Sequence, residues 1–269
     1  MRRLSVLFSL MAALVVTGCS SQSEEVNVYS ARKEALIKPL LDRFTSETGI
    51  TVNLITGSAD ALVERMKAEG EHSPADVLIT TDAGRLYRAQ QEGQLATTES
   101  DTLAEQVPEA LRDPEGHWYG LSVRARVVVY APDRVAPSEL STYEALADEK
   151  WDDRICIRSS DNIYNQSLTA SLIAHNGEAD TEQWAEGLVS NMARDPVGGD
   201  RDQIKALAAG ECDIAVVNTY YLGMMQGGDD ADAREIAEQV AVFWPNQPGP
   251  GIAGRGAHVN ISGAGVTKS

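Results

Sequence analysis

Two adjacent tyrosines, Tyr220 and Tyr221, directly follow an apolar segment at residues 214–217. The segment has the composition of a buried strand, in which neighbouring side chains point to opposite faces. Two phenols side by side therefore suit a hydrophobic core poorly. They are either packing aromatics or two oxygens that meet at a ligand, and the second alternative requires the chain to leave extended geometry at residues 219–220.

Polar, basic and aromatic side chains also follow other strand-like segments, at the strand ends where open α/β sheets bind ligands. They are Tyr29, Arg32, Lys33, Glu34, Thr80, Thr81, Asp82, Ser159, Ser160 and Tyr164, with Arg124 and Arg126 in an extended segment. Taken alone, Tyr164 fits a loop aromatic, Arg126 an ion-pair partner and Asp82 a helix N-cap. Together they form a phenol-rich, basic cluster that these separate explanations do not account for.

A cluster of phenols could bind ferric iron. The pKa of a free tyrosine is about 10, so a phenol ionises at neutral pH only when a strong positive charge, such as a coordinated metal ion, displaces its proton. Three phenolates would balance the 3+ charge of Fe(III). Magnesium and calcium favour carboxylates, and zinc favours cysteine and histidine. An arginine beside the cluster could hold a small bidentate anion such as carbonate.

The sequence lacks the motifs of common enzymes. It contains no GxSxG, P-loop or GxGxxG pattern, and its four histidines form no HExxH pairing. A hydrolase that used Asp82 or Ser160 would have no positioned histidine base, so we predict a binding protein rather than an enzyme. With 23 basic and 40 acidic side chains the formal net charge is −17, which argues against nucleic acid as a partner.

The N-terminus has the order of a secretion signal. Arg2 and Arg3 precede an apolar run, and the small residues of "VTGC" end at Cys19. This order predicts a lipoprotein signal peptide at residues 1–18 and acylation of Cys19, which would hold the protein at a membrane by lipid alone. The alternative is an ordinary secretory peptide that ends near a cysteine.

Two further cysteines, Cys156 and Cys212, lie in short apolar stretches that could be neighbouring strands. In an oxidising compartment such a pair favours a disulfide. Two buried free thiols are the alternative.

Strand-like and helix-like segments alternate from residue 26 onward, among them a predicted helix at residues 34–49 and a predicted strand at residues 153–160. This alternation predicts an α/β fold with sheets covered by helices. Extended segments near residues 118–130 and 239–245 indicate a hinge crossed twice between two lobes. We therefore divide the chain into a signal peptide (1–18), a lipidated tether (19–25), the first part of lobe 1 (26–120), lobe 2 (121–238) and a return to lobe 1 (239–269).

Several stretches resemble the periplasmic ferric-iron-binding proteins of ABC importers, in the type II periplasmic-binding, transferrin-like superfamily. They are "VNVYSARKEALIKPLLDRFTSETGI", "SPADVLITTDAGRL", "GLSVRARVVVY" and "GGDRDQIKALAAGECDIAVVNTYYLG". The resemblance runs from about Val26 to the end of the chain. It implies a two-lobe fold in which each lobe is a mixed sheet flanked by helices, with a two-strand hinge.

The resemblance also implies residue roles. The iron ligands would be Tyr164, Tyr220 and Tyr221, with Arg126 anchoring the accompanying anion. Many members have a histidine or tyrosine ligand in the first lobe, where this chain has Lys33 and Glu34. Glu34 could coordinate iron or serve as a helix-terminus carboxylate, and closure could instead use an anion or water near Arg32 and Arg126.

The implied function is that of a monomeric, periplasmic, membrane-anchored lipoprotein that delivers Fe(III) to an ABC permease. The alternative is a receptor for another small solute, of thiamine, polyamine or oxyanion type. Family chains normally continue beyond "SGAGVTK" with helices that complete the first lobe. Because these helices are absent from this sequence, we expect the 269-residue chain to be less stable than a longer relative.

Overall fold

The structure is a computed structural model that describes residues 24–249 and 254–269. The predicted signal peptide and the acylation site Cys19 lie outside the described residues, as does most of the predicted tether. Within the described ranges, no helix combines the length and the apolar character that a membrane span requires.

The described strands form one mixed sheet. They are β1 (Glu25–Ser30), β2 (Thr51–Thr56), β3 (Val77–Thr80), β4 (Tyr119–Tyr130), β5 (Ile155–Cys156), β6 (Ile214–Asn218), β7 (Ala241–Phe243) and β8 (Val259–Val266). Their order is β2-β1-β3-β8-β4-β6-β5, and β7 also pairs with β4. The pairs β1–β2, β1–β3 and β5–β6 are parallel, whereas β8, β4, β6 and β7 make antiparallel pairs.

Strand β4 connects two groups of strands. Its residues 119–125 pair with β8, whereas residues 126–130 pair with β6, and residues 128–130 also pair with β7. We use "first lobe" for β1, β2, β3, β8 and the start of β4, and "second lobe" for the rest of β4 with β5, β6 and β7. The chain was predicted to return to the first lobe at residue 239. Because β7 still pairs with the second half of β4, the first returning strand is β8.

Helices cover the sheet on both faces. They are α1 (Glu34–Thr48), α2 (Ala59–Glu69), α3 (Ala83–Gln91), α4 (Asp101–Gln106), α5 (Ile163–Asn176), α6 (Glu178–Ser190), α7 (Asp200–Ala208), α8 (Thr219–Gly227) and α9 (Ala231–Glu238). Helix α1 ends at Gly49, whose φ of 78° lies in the left-handed region that glycine adopts without strain. Ser58 and Asp82 accept backbone hydrogen bonds at the starts of α2 and α3.

The predicted strand at residues 153–160 is shorter in the structure, where β5 contains only Ile155 and Cys156. The carbonyl oxygens of Arg158 and Ser159 accept hydrogen bonds from the Asn165 side chain. These carbonyl groups therefore bond to a side chain at the start of α5 rather than to a neighbouring strand.

The second lobe has a hydrophobic core on each face of its sheet because side chains alternate along β4. Val127 and Val129 pack in one core, whereas Val128 and Tyr130 pack in the other. Cys156 and Cys212 belong to the first of these cores and are joined by a disulfide, with their Cα atoms 5.8 Å apart. The bridge fixes β5 beside the residues that lead into β6.

Candidate metal centre

Tyr220 and Tyr221 lie in the first turn of helix α8. Strand β6 ends at Asn218 and α8 begins at Thr219, so the chain leaves extended geometry at the position that convergence of the two phenols requires. Consecutive helical residues are separated by about 100° around the axis rather than by the 180° of a strand. The two rings accordingly lie on the same side, with their centroids 4.2 Å apart and their planes tilted by 32°.

The third tyrosine, Tyr164, reaches the pair from another helix. It lies in the first turn of α5, whose N-cap Asn162 accepts a hydrogen bond from the Tyr164 backbone N–H at 3.0 Å. The Oη atoms of Tyr164 and Tyr220 are 3.1 Å apart. Tyr220 is 36% exposed, so a solute can reach this group of phenols. The structure therefore brings all three predicted tyrosines together.

The environment keeps the phenols of Tyr220 and Tyr221 in their neutral form. Burial raises the pKa of Tyr220, and the hydrogen bond to Tyr164 raises it further. Burial also raises the pKa of Tyr221. Ionising one phenol makes ionisation of its neighbours harder, because like charges would accumulate at short distance. A cation that binds here must therefore displace protons.

Three guanidinium groups surround the ring of Tyr164. The Cζ atoms of Arg124, Arg158 and Arg126 lie 5.3, 5.4 and 5.9 Å from the ring centroid, within the range of cation–π contacts. Arg124 also donates to the backbone oxygen of Ile261 at 2.6 Å. Arg124 and Arg126 belonged to the basic cluster predicted from the sequence, whereas Arg158 was not part of that prediction.

Arg126 is an ion-pair partner, which was its ordinary explanation from the sequence. Its side chain is 1% exposed and donates to Asp200 and Asn165, each at 2.6 Å, and more weakly to Asn218 at 3.4 Å. Asp200 is fully buried and also accepts from Arg158 at 3.2 Å. The two Nη atoms of Arg126 are therefore engaged by protein groups.

Arg32 and Glu34 lie at the end of β1 and the start of α1. Arg32 Nη1 donates to Ser262 at 2.7 Å and to Ser122 at 3.4 Å. Glu34 is exposed in the first turn of α1, and in residues 24–249 and 254–269 its carboxylate has no hydrogen-bond or ion-pair partner. Across the same residues, no hydrogen bond joins Arg32 or Glu34 to the three tyrosines.

Sequence reasoning missed several polar residues around the phenols. A small cavity beside the tyrosines is lined by Arg124, Arg126, Tyr164, Ser167, Asn218, His258 and Asn260. Ser167 could have been found, since it follows Tyr164 by three residues and so shares its face of a helix. Asn218, His258 and Asn260 gave no signal, because only the pairing of β4 with β6 and β8 brings them here.

Several buried polar atoms of the residues that line the cavity have no hydrogen-bond partner in the described residues. Among the described residues, Arg126 Nε, Asn218 Nδ2 and His258 Nε2 are buried without a hydrogen-bond partner. Burial lowers the pKa of His258 to about 4, so its imidazole is neutral at neutral pH. Buried polar atoms usually have hydrogen-bond partners. Arg126 Nε and Asn218 Nδ2 can donate to an anion or water, and His258 Nε2 can contact water.

Comparison with known proteins supports the resemblance seen in the sequence. The chain is 51% identical over 248 residues to iron uptake protein A1 of Synechocystis sp., an alignment that covers 92% of this chain and 68% of that protein. It is 29% identical over 266 residues to the Fe(3+)-binding periplasmic protein of Serratia marcescens, covering 98% and 75% of the two chains.

Solved structures confirm the predicted two-lobe α/β fold. The Trichodesmium protein IdiA/FutA in complex with iron and citrate superposes with a TM-score of 0.83 at 52% identity, covering 91% of this chain and 76% of that one. A family model described as bacterial extracellular solute-binding protein matches residues 72–265. This chain therefore belongs to the family of bacterial extracellular solute-binding proteins.

Proposed function

We propose that this protein binds ferric iron through Tyr164, Tyr220 and Tyr221 and delivers it to an ABC permease. The observation that carries the proposal is the 3.1 Å separation of the Tyr164 and Tyr220 phenol oxygens. Around a small octahedral cation with metal–oxygen distances of about 2.1 Å, adjacent ligand oxygens lie roughly 3 Å apart. The ring of Tyr221 lies beside that of Tyr220, with centroids 4.2 Å apart, and supplies the third phenol.

The charge requirement favours a trivalent ion. Because the pKa values of Tyr220 and Tyr221 are raised, the ion must displace protons that bind more tightly than in free tyrosine. A ferric ion balances three phenolates, whereas a divalent ion would leave a net negative charge in a half-buried site. Relatives named for iron uptake and Fe(3+) binding are consistent with this choice.

A small bidentate anion such as carbonate would complete the coordination sphere. Arg126 Nε has no partner among the described residues and lies in the cavity beside Tyr164, so it can donate to such an anion. Arg32 is the other proposed anion contact, although its Nη1 already donates to Ser262. Glu34 stays a candidate ligand from the first lobe, with a carboxylate free of protein partners in the described residues.

The cellular setting follows from the sequence and the relatives. Periplasmic homologues support a periplasmic location. We propose that acylation of Cys19 anchors a monomeric protein to the membrane, with the first part of lobe 1 at residues 26–120, lobe 2 from residue 121 onward, and the return to lobe 1 made by β8. A second candidate solute, an oxyanion, is favoured only by the spare donors of the cavity.

Visible absorption tests the proposal. Metal-free protein titrated with ferric nitrilotriacetate should develop a ferric–phenolate charge-transfer band that saturates at one equivalent. Tyr221→Phe should lose iron to a chelator far faster than the unaltered protein. Tyr87→Phe is the matched control, because Tyr87 is 55% exposed on α3 and takes no part in the phenol group. No band, or equal iron retention by Tyr221→Phe and the unaltered protein, would refute the assignment.

A further inference from the structure

The buried carboxylate of Asp82 collects hydrogen bonds from several elements. Asp82 is 2% exposed, and its Oδ1 accepts from the backbone N–H of Gly84 at 2.9 Å, as an N-cap does. Its Oδ2 accepts from Ser167 Oγ at 2.7 Å, Asn260 Nδ2 at 2.8 Å and Arg124 Nη2 at 3.3 Å. Capping α3 uses only Oδ1, so the three contacts of Oδ2 need another explanation.

The donors to Oδ2 come from both lobes. Arg124 and Asn260 belong to the β4–β8 pair of the first lobe, and Asp82 joins β3 to α3 in the same lobe. Ser167 belongs to α5, which packs on the second-lobe core and carries Tyr164 one turn earlier. Asn260 Nδ2 also reaches Ser167 Oγ at 3.1 Å. Ser167 is thus tied to the first lobe twice.

We infer that Asp82 is a positioning residue for iron binding, and that Asp82, Asn260 and Ser167 form a polar latch that holds helix α5 against the first lobe. This inference rests on the proposed function. The latch would act on iron through Tyr164, because Ser167 and Tyr164 are on one face of a rigid helix. Asp82 itself contacts no phenol among its hydrogen bonds in the described residues.

The latch has a particular use in this chain. Lys33 and Glu34 are exposed where a first-lobe ligand was expected, and no hydrogen bond in the described residues joins Glu34 to the tyrosines. If the metal takes its phenolate ligands from the second lobe alone, the metal does little to draw the lobes together. Besides an anion held near Arg32 and Arg126, contacts between protein groups can then supply closure, and a buried charged acceptor with donors on both lobes is such a contact.

Loss of the Ser167 hydroxyl should weaken closure while sparing the ligands. A hydrogen bond to a charged group contributes enough that its removal changes an equilibrium by roughly 10- to 100-fold. Ser167→Ala should therefore release Fe(III) to excess EDTA about 10- to 100-fold faster, with the wavelength of the charge-transfer band unchanged because all three phenols remain. Ser167→Thr retains the hydroxyl and should restore slow release.

The matched control is Ser171→Ala, one turn further along α5, where the side chain makes no hydrogen bond among the described residues. Its release rate should equal that of the unaltered protein. A release rate for Ser167→Ala within twofold of Ser171→Ala would overturn the latch.

A second measurement separates this inference from the proposed function. Small-angle scattering of the metal-free proteins should give a larger radius of gyration for Ser167→Ala than for Ser171→Ala, since the latch does not require iron. Equal radii would overturn the latch even if iron binds as proposed. If the unaltered protein shows no ferric band, the proposed function fails, and a larger radius for Ser167→Ala would still support the latch as a device for closure.

Discussion

Replacing Asp200 with alanine should be among the most destabilising single changes in the second lobe. Asp200 is fully buried at the start of α7 and accepts from Arg126 at 2.6 Å, Arg158 at 3.2 Å and the backbone N–H of Asn218 at 2.7 Å. Arg126 is 1% exposed. Asp200→Ala would leave that buried guanidinium without its counter-ion.

The expected magnitude follows from the buried charge. Breaking a buried ion pair by removing one partner costs about 3–5 kcal/mol, mainly because the remaining charge is uncompensated. The backbone N–H of Asn218 would also lose its acceptor. The costs of the unpaired Arg126 charge and of the unpaired N–H are not additive, because both groups bond to the same carboxylate. With a urea m-value of about 2.5 kcal/mol per M, the loss lowers the unfolding midpoint by roughly 1–2 M.

Urea denaturation followed by tryptophan fluorescence measures this change. Asp133→Ala is the control, because Asp133 is 71% exposed in its pair with Arg134 and such surface pairs contribute about 1 kcal/mol at most. Adding Arg126→Met to Asp200→Ala should recover part of the loss, since the orphaned charge is then gone. An Asp200→Ala midpoint within about 0.4 M of the Asp133→Ala midpoint, as about 1 kcal/mol or less would give, would refute the reasoning.

Two other predictions concern the stability of the second lobe. Replacing both Cys156 and Cys212 with alanine should lower the free energy of unfolding by about 4 kcal/mol, because the disulfide closes a loop with a sequence separation of 56; a loss below 1 kcal/mol in urea denaturation would contradict the loop-entropy argument. Burial alone would raise the pKa of Glu144, but hydrogen bonds from Asn176 and Asn246 lower it to about 2. A carboxyl group whose pKa is lower in the folded than in the unfolded protein stabilises the fold above the unfolded pKa, and this contribution is lost as the pH falls through the folded pKa. Thermal stability should therefore drop between about pH 4.5 and 2. Glu144→Gln should flatten that drop, and an unchanged slope would count against this role of Glu144.

Secondary structure was largely predictable because it depends on local patterns. Apolar spacing placed α1 at residues 34–49, against Glu34–Thr48 in the structure. The strand predicted at 153–160 was too long. The Asn165 amide donates hydrogen bonds to backbone carbonyls that the pattern had assigned to pairing with a neighbouring strand. Hydrophobic periodicity does not show whether a backbone oxygen bonds to a neighbouring strand or to a side chain of the following helix.

In the predicted site, too, local sequence position identified the residues but not their long-range contacts. Tyr220 and Tyr221 could be chosen because they follow a strand, and Asp82 was identified as an N-cap from its position before a helix. The second role of Asp82 could not be predicted, since its acceptor atom bonds to Ser167 and Asn260, 85 and 178 residues away in the chain. Arg126 was predicted to anchor an anion, yet its Nη atoms turn out to be held by Asp200 and Asn165.

The sequence by itself determined which side chains are candidates for a metal site, because residue type and position at a strand end are local properties. Only the tertiary structure decided how those side chains are held. The 3.1 Å approach of Tyr164 to Tyr220, the contacts of Arg124 and Arg126 with the Tyr164 ring and the bond from Ser167 to Asp82 all join residues at least 38 positions apart. Pairing of β4 with β6 and β8 creates these contacts, and burial then gives them their strength, since charges and phenols interact more strongly where water is excluded.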